Sequence, residues 1–234
     1  AVHWAANGPE PTGYRDTSVV VLHAGSSDGS CSVLPGCATR KYHSSRRDAF
    51  KPINQEPIAH VKIGPDGPSI EMGDAVGFDA RPEAISPMMF EESTRIAQFI
   101  ADAHLHPDLV QAAIDADYDA LLFHGTGLGH LPIADPQDDS PENTRLRIML
   151  ADHCAAGGVV VVVTQTIHGP VHMDVYDKGR DQQEMGIIGH GSLCPPSSAL
   201  VKLHHLLSRD EGRDAIAEGW ESDLLGENPP DALS

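Results

Sequence analysis

Residues 159–164 read Val-Val-Val-Val-Val-Thr. Consecutive β-branched residues favour a strand, and the lack of apolar–polar alternation says that both faces are covered. That is the signature of an interior strand in a parallel sheet, with helices on either side. Upstream, Gly157-Gly158 closes a helix expected from Ser140 to about Ala156. Its start has Ser140 as N-cap, Pro141 in the first position and Glu142 in the first turn. Before that helix, Ala120–Phe123 (ALLF) predicts a short strand running into Gly125-Thr126-Gly127-Leu128-Gly129-His130. Pro107–Ala116 predicts another helix, with Leu109, Val110 and Ala113 on one side. Arg95–Ala103 fits strand and helix periodicity equally. Downstream, Ser197–Ser208 and Glu211–Glu218 predict late helices. Strand–helix–strand alternation at this spacing gives the fold class: α/β, a mostly parallel doubly wound sheet.

The first third of the chain is different. Its opening is turn-rich (Asn7-Gly8-Pro9, Pro11-Thr12-Gly13). Ser18–Ala24 (SVVVLHA) predicts a buried strand ending at Gly25–Gly29, and Ile58–Ile63 alternates weakly as a second. Residues 64–87 are rich in Gly, Pro and acid and read as a linker between lobes. Residues 40–54 carry Arg40, Lys41, Arg46, Arg47 and Lys51, a local cation cluster suited equally to phosphate contact or to internal ion pairing.

The chain has 234 residues and a formal charge of −18, from 34 acids against 16 bases. Such an excess keeps a protein soluble and disfavours non-specific nucleic-acid binding. An acidic chain poor in Lys and aromatics is expected in concentrated salt, where screening mutes self-repulsion. An ordinary acidic protein is the plain alternative, and a cytoplasmic location is expected under both. No apolar run approaches the ~20 residues that cross a bilayer, no signal peptide is visible, and no membrane partner is expected. The four cysteines, at 31, 37, 154 and 194, form no C-x-x-C pair and are expected as free thiols.

Two loops carry the functional expectation. The Gly loop 125–130 and the segment Thr164-Gln165-Thr166-Ile167-His168-Gly169-Pro170 both follow strands. Loops at the carboxyl ends of neighbouring parallel strands face a shared crevice. Their hydroxyl, amide and imidazole groups suit a small polar ligand, and a purely structural turn is the plain alternative. The spacing G-x-G-x-G, with no helix until Ser140, argues against a dinucleotide fingerprint. The 14 histidines include close pairs at 104/106, 124/130, 168/172 and 204/205. None forms an i, i+4 pair on a secure helix and no H-E-x-x-H occurs, so no metal and no other cofactor is expected. A His-rich metal protein stays as a weaker third reading.

Four segments in order, RKYHSSRRDAFKPIN (40–54), YDALLFHGTGLGHLP (118–132), VVVVTQTIHGPVHMDVYDKGR (160–180) and SSALVKLHHLL (197–207), resemble the asparaginase/glutaminase family, most closely its archaeal amidotransferase branch. The resemblance implies a two-lobe fold, with residues 1–85 as the remainder of the first lobe and linker and 86–234 as the second lobe. It implies glutamine or asparagine amidohydrolysis, the ammonia serving to convert Glu-tRNA(Gln) to Gln-tRNA(Gln) on a partner subunit. It also implies a homo-oligomer with its site at a subunit interface, and tRNA reached through the partner.

The family's nucleophilic threonine motifs, T-G-G-T and H-G-T-D, do not occur in this chain. No catalytic residue is therefore assigned, and the chain alone is expected to be incomplete or inactive; it reads as a fragment, as a degenerate relative, or as a chain whose nucleophile half another polypeptide supplies. The resemblance implies substrate binding by Gly125, Thr126, Gly127, Gly129 and His130, and by Gln165 and Thr166. His130 stands where simple asparaginases have Asn. Departures are His124 where the amidotransferase branch has Glu, Pro170 where Arg is usual, and one Ser fewer before Gln165. The hydroxyls on offer are Thr126, Thr164 and Thr166, with Lys178 and Lys202 the nearest amines in sequence. The alternative class is a non-catalytic α/β binding or assembly module.

Overall fold

The computed structural model describes residues 1–8, 18–73, 89–209 and 211–228. These fall into two compact units, one of residues 1–73 with 224–228, the other of residues 89–223. The first unit holds a short helix α1 (Val2–Asn7) and strands β1 (Val19–His23), β2 (Ser30–Pro35), β3 (Thr39–Lys41), β4 (Phe50–Pro52), β5 (Ala59–Gly64) and β6 (Gly67–Met72). Four of them form an antiparallel sheet in the order β1-β2-β5-β6, and β3 pairs with β4 as a separate antiparallel hairpin. Val33, Ala59 and Val61 from the sheet bury one face against Trp4 of α1 and Ile58.

The linker expected over 64–87 is corrected in its first part. Gly64 pairs with Gly67 across Pro65-Asp66, so the Pro and Gly residues make a hairpin turn between two strands. Pro68, opposite Ile63, is tolerated because β6 lies at the sheet's edge, where a missing N–H costs no ladder bond. Residues 74–87, and the turn expected at Pro11–Gly13, lie outside the described residues. In the cation cluster, Arg46 and Lys51 reach Asp48 at 2.8 and 3.5 Å, Arg47 pairs with Asp28, and Lys41 lies 5.8 Å from the Phe50 ring centre. Arg46, Arg47 and Lys51 thus all have acidic partners in the same unit.

The second unit runs β7 (Ile96–Ile100), α2 (Pro107–Asp115), β8 (Ala120–Gly125), α3 (Pro141–Ala155), β9 (Val159–Thr164), α4 (Asp177–Glu184), α5 (Pro196–Leu207) and α6 (Arg213–Glu221). Its sheet is parallel throughout, in the order β7-β8-β9, with Ala120 opposite Val159 and Gly125 opposite Thr164. Arg95–Ala103, undecided by periodicity, contains the edge strand β7. Two crossovers stepping the same way put α2 and α3 on one face. Leu121, Phe123, Val160 and Val162 pack there against Val110, Leu146 and Leu150. Alternation turns Leu122, Val161 and Val163 to the other face, equally buried. There α5 packs on β9 and α6 on α5. A single parallel bridge, Val161 to Ile188, lays the chain after α4 alongside β9.

Ser140 begins α3 as expected, but its side chain makes no cap bond. The Asp135 carboxylate instead braces the entry to the helix, accepting from Ser140 N at 2.9 Å and from Thr144 Oγ1 at 3.0 Å. No disulfide joins the four cysteines. Among the described residues no helix is long and apolar enough to cross a membrane.

Candidate functional site

The two loops singled out in the sequence emerge side by side from the carboxyl ends of β8 and β9. The Gly loop closes on itself: Thr126 N donates to His130 O and His130 N donates to Thr126 O, both at 2.9 Å. Gly125 and Gly129 are required by contact. A Cβ at Gly125 would stand 2.5 Å from Gly129 C, and one at Gly129, whose φ is +94°, would stand 2.7 Å from Val171 Cγ1. The loop sits on Gln182 of α4, a fully buried side chain whose Oε1 accepts from Leu131 N at 2.8 Å. Its Nε2 donates to Gly129 O at 3.0 Å. Nothing in the local sequence marks Gln182; its role follows from a separation of 51 residues.

The second loop is tied to the first. Gln165 N donates to Gly125 O at 2.9 Å, and Thr164 Oγ1 donates to Gly127 O. Thr164 Oγ1 lies 2.9 Å from Thr166 Oγ1 and also accepts from Thr166 N at 3.1 Å. With its own proton given to Gly127, Thr164 is the acceptor in this pair. Thr166 then divides its proton between Thr164 and His168 O, 3.1 Å away. Gln165 donates both amide hydrogens, to Ala101 O at 2.8 Å and His124 O at 2.7 Å. It splints the ends of β7 and β8, so Oε1 is the atom it can turn to a ligand. Thr126 Oγ1 donates to His130 O at 3.2 Å.

All seven expected site residues therefore meet at one rim. Thr126, Gly127, Gln165 and Thr166 are exposed, while Gly125, Gly129 and His130 are buried. His130 is 7% exposed, its ring stands edge-on to Tyr176 at 5.4 Å, and its Nε2 has no hydrogen-bond partner among the described residues. Burial pushes its imidazole below the usual range, and the Lys178 ammonium pushes the same way. A neutral ring at pH 7 offers one donor and one acceptor nitrogen. Lys202, one of the two amines nearest the threonines in sequence, lies elsewhere: it is buried and donates to Trp220 O at 2.9 Å and to Ser222 O.

Beside the rim is a convergence that sequence reasoning missed. His172, Asp174 and His190 bring one possible ligand atom each within 4.8 Å of one another. The sequence pairs His168 with His172; the fold pairs His172 with His190, rings 5.3 Å apart, across the loop that follows α4.

Residues 95–219 match the glutaminase/asparaginase C-terminal domain. The chain belongs to the glutaminase/asparaginase family. Among its relatives in this family is the D component of the glutamyl-tRNA(Gln) amidotransferase of Methanosarcina mazei, 34% identical over 214 residues, 90% of this chain and 44% of that protein. The D component of the same amidotransferase in Thermococcus kodakarensis is 30% identical over 213 residues, 91% of this chain and 44% of that protein. The chain thus spans less than half the length of the curated relatives it matches. In fold it is similar to the L-asparaginase I of Vibrio cholerae, with a TM-score of 0.66, 24% identity, and 85% of this chain and 55% of that one covered. The thermostable L-asparaginase of Thermococcus kodakarensis gives a TM-score of 0.62 at 23% identity, with the same coverage. The family expected from four short segments and the α/β fold expected from strand–helix alternation are both shown.

Proposed function

We propose that this chain is the second-lobe-bearing portion of a glutamine or asparagine amidohydrolase of the amidotransferase kind. In this reading the ammonia released converts Glu-tRNA(Gln) to Gln-tRNA(Gln) on a partner subunit, and the chain reaches tRNA through that partner. The boundary between lobes lies near residue 86. The chain works as a homo-oligomer whose site is shared between subunits, with Gly125, Thr126, Gly127, Gly129, His130, Gln165 and Thr166 presented to the substrate. The observation that carries the reading is identity of about a third to the amidotransferase D component along 90% of the chain, together with the meeting of both loops at one rim.

Alone, the chain turns over little or no amide. Amide hydrolysis needs an activated hydroxyl and donors for the oxyanion. Here the hydroxyl protons of Thr126 and Thr164 go to backbone carbonyls, and that of Thr166 is shared between Thr164 and His168 O. The same engagement favours the second reading, a non-catalytic binding or assembly module. Ammonia release from glutamine and from asparagine by the purified chain tests the point, with amide resonances of 125–130 and 164–168 followed as glutamine is added. We expect background ammonia and shifts confined to those loops. Turnover at the ~1–10³ s⁻¹ of ordinary enzymes would overturn the claim of incompleteness, and the absence of any shift would overturn the substrate-binding assignment.

A further inference from the structure

We propose that His172, Asp174 and His190 bind a borderline divalent transition ion of the Zn²⁺ type. The proposal stands apart from the amidohydrolase reading and does not need it. The site is built by the backbone: Val171 N donates to Ser192 O and Gly191 N donates to Val171 O, both at 2.9 Å. This short ladder sets His172 beside His190, with ring planes at 83°. His190 Nε2 already stands 3.5 Å from Asp174 Oδ2. Ligand atoms about 2.0–2.2 Å from one tetrahedral ion lie roughly 3.3 Å from each other. The cluster, all within 4.8 Å, needs only small side-chain rotations to close.

The surroundings suit such an ion. Gln183 Nε2 donates to Asp174 Oδ1 at 2.8 Å, fixing the carboxylate with Oδ2 towards His190, as an outer-sphere partner does. Two imidazoles and one carboxylate match Zn²⁺, Co²⁺ or Ni²⁺, and not the all-oxygen preference of Mg²⁺ or Ca²⁺. His172 and Asp174 are exposed, so water can complete the coordination.

One feature opposes binding and makes it measurable. Met173 N–H donates to His190 Nδ1 at 3.1 Å, so the metal-free ring carries its proton on Nε2. Coordination at Nε2 moves that proton to Nδ1 and breaks the Met173 bond. Leaving the buried Met173 N–H without its acceptor lowers affinity by a factor between about 5 and about 100. An ion here would also brace the chain under the Gly loop, since His172 N donates to Leu128 O at 3.0 Å.

The test is calorimetric titration of the whole chain with Zn²⁺ at pH 7.5, with Mg²⁺ as counter-probe, alongside amide NMR. We expect one equivalent of Zn²⁺ bound, a shifted Met173 amide signal and a raised melting temperature. Asp174→Asn and His190→Ala should each weaken Zn²⁺ at least tenfold, while the double variant His204→Ala/His205→Ala leaves it unchanged. His172→Gln, at an exposed position, serves if His190→Ala fails to fold by circular dichroism. Absence of Zn²⁺ binding, Zn²⁺ affinity untouched by the triad variants, or equal affinity for Mg²⁺ would each overturn the assignment.

Discussion

His130 shows how much one side chain can report. Burial holds its imidazole, and that of His153, below the usual range. The unfolded chain therefore binds more protons than the folded one as the pH drops beneath about 6.5. Stability contributed by these rings is complete above that value and is lost as the pH falls towards the depressed folded values. His130→Asn should flatten the dependence of unfolding free energy on pH between 5 and 7, measured by urea titration; an unchanged slope would assign the effect elsewhere. Gln182 gives the sharper stability prediction. Gln182→Leu leaves Leu131 N–H and Gly129 C=O buried without their partner and should cost about 3 kcal/mol in urea unfolding. The glycines of this loop are legible in the sequence, because a punctuated run after a strand is a local signal. Gln182 is not, because a side chain that satisfies two distant backbone groups leaves no local mark. The exposed threonines are legible as residues at a rim but not as a closed set of hydrogen bonds, which needs both loops in place.

At the scale of elements, the buried strands are the readable part. β9 and β8 carry apolar runs with no alternation, and α2 and α3 carry Pro at their starts. β2 and β6 are hidden from such reading: Ser30–Pro35 and Gly67–Met72 hold many small, polar or ring-constrained residues whose strand character comes from pairing with β1 and β5. Adjacency in sequence suggests Ser140 as the cap of α3, whereas its side chain makes no cap bond and Asp135, five residues upstream, holds Ser140 N–H and the Thr144 hydroxyl at the helix start. Lys202, a candidate activating amine by sequence distance, is instead a tie between helices. It sits on α5, donates to carbonyls at the end of α6, and lies 5.6 Å from the Trp220 ring centre. Lys202→Met keeps the length of the stem and removes the donors. It should lower stability by about 2 kcal/mol and perturb the near-ultraviolet signal of Trp220, while an unperturbed Trp220 signal would contradict the tie.

For the whole molecule, charge sets the terms. At −18 the chain repels itself, and its described ion pairs are mostly surface pairs of small individual worth. Screening length falls from ~10 Å at 0.1 M salt to ~3 Å at 1 M. The melting temperature should therefore climb as KCl is raised from 0.1 to 2 M; a fall would mean that attractive pairs outweigh repulsion and that a salt-adapted reading of the composition is wrong. At the rim, Gln165 N–H on Gly125 O and the Thr164 hydroxyl on Gly127 O tie the two loops to each other. Ordering them is an entropic cost met when the chain folds; under the proposed substrate-binding role, a ligand at either loop would meet a pre-shaped surface, and a substitution that loosens one arm would blunt recognition by both.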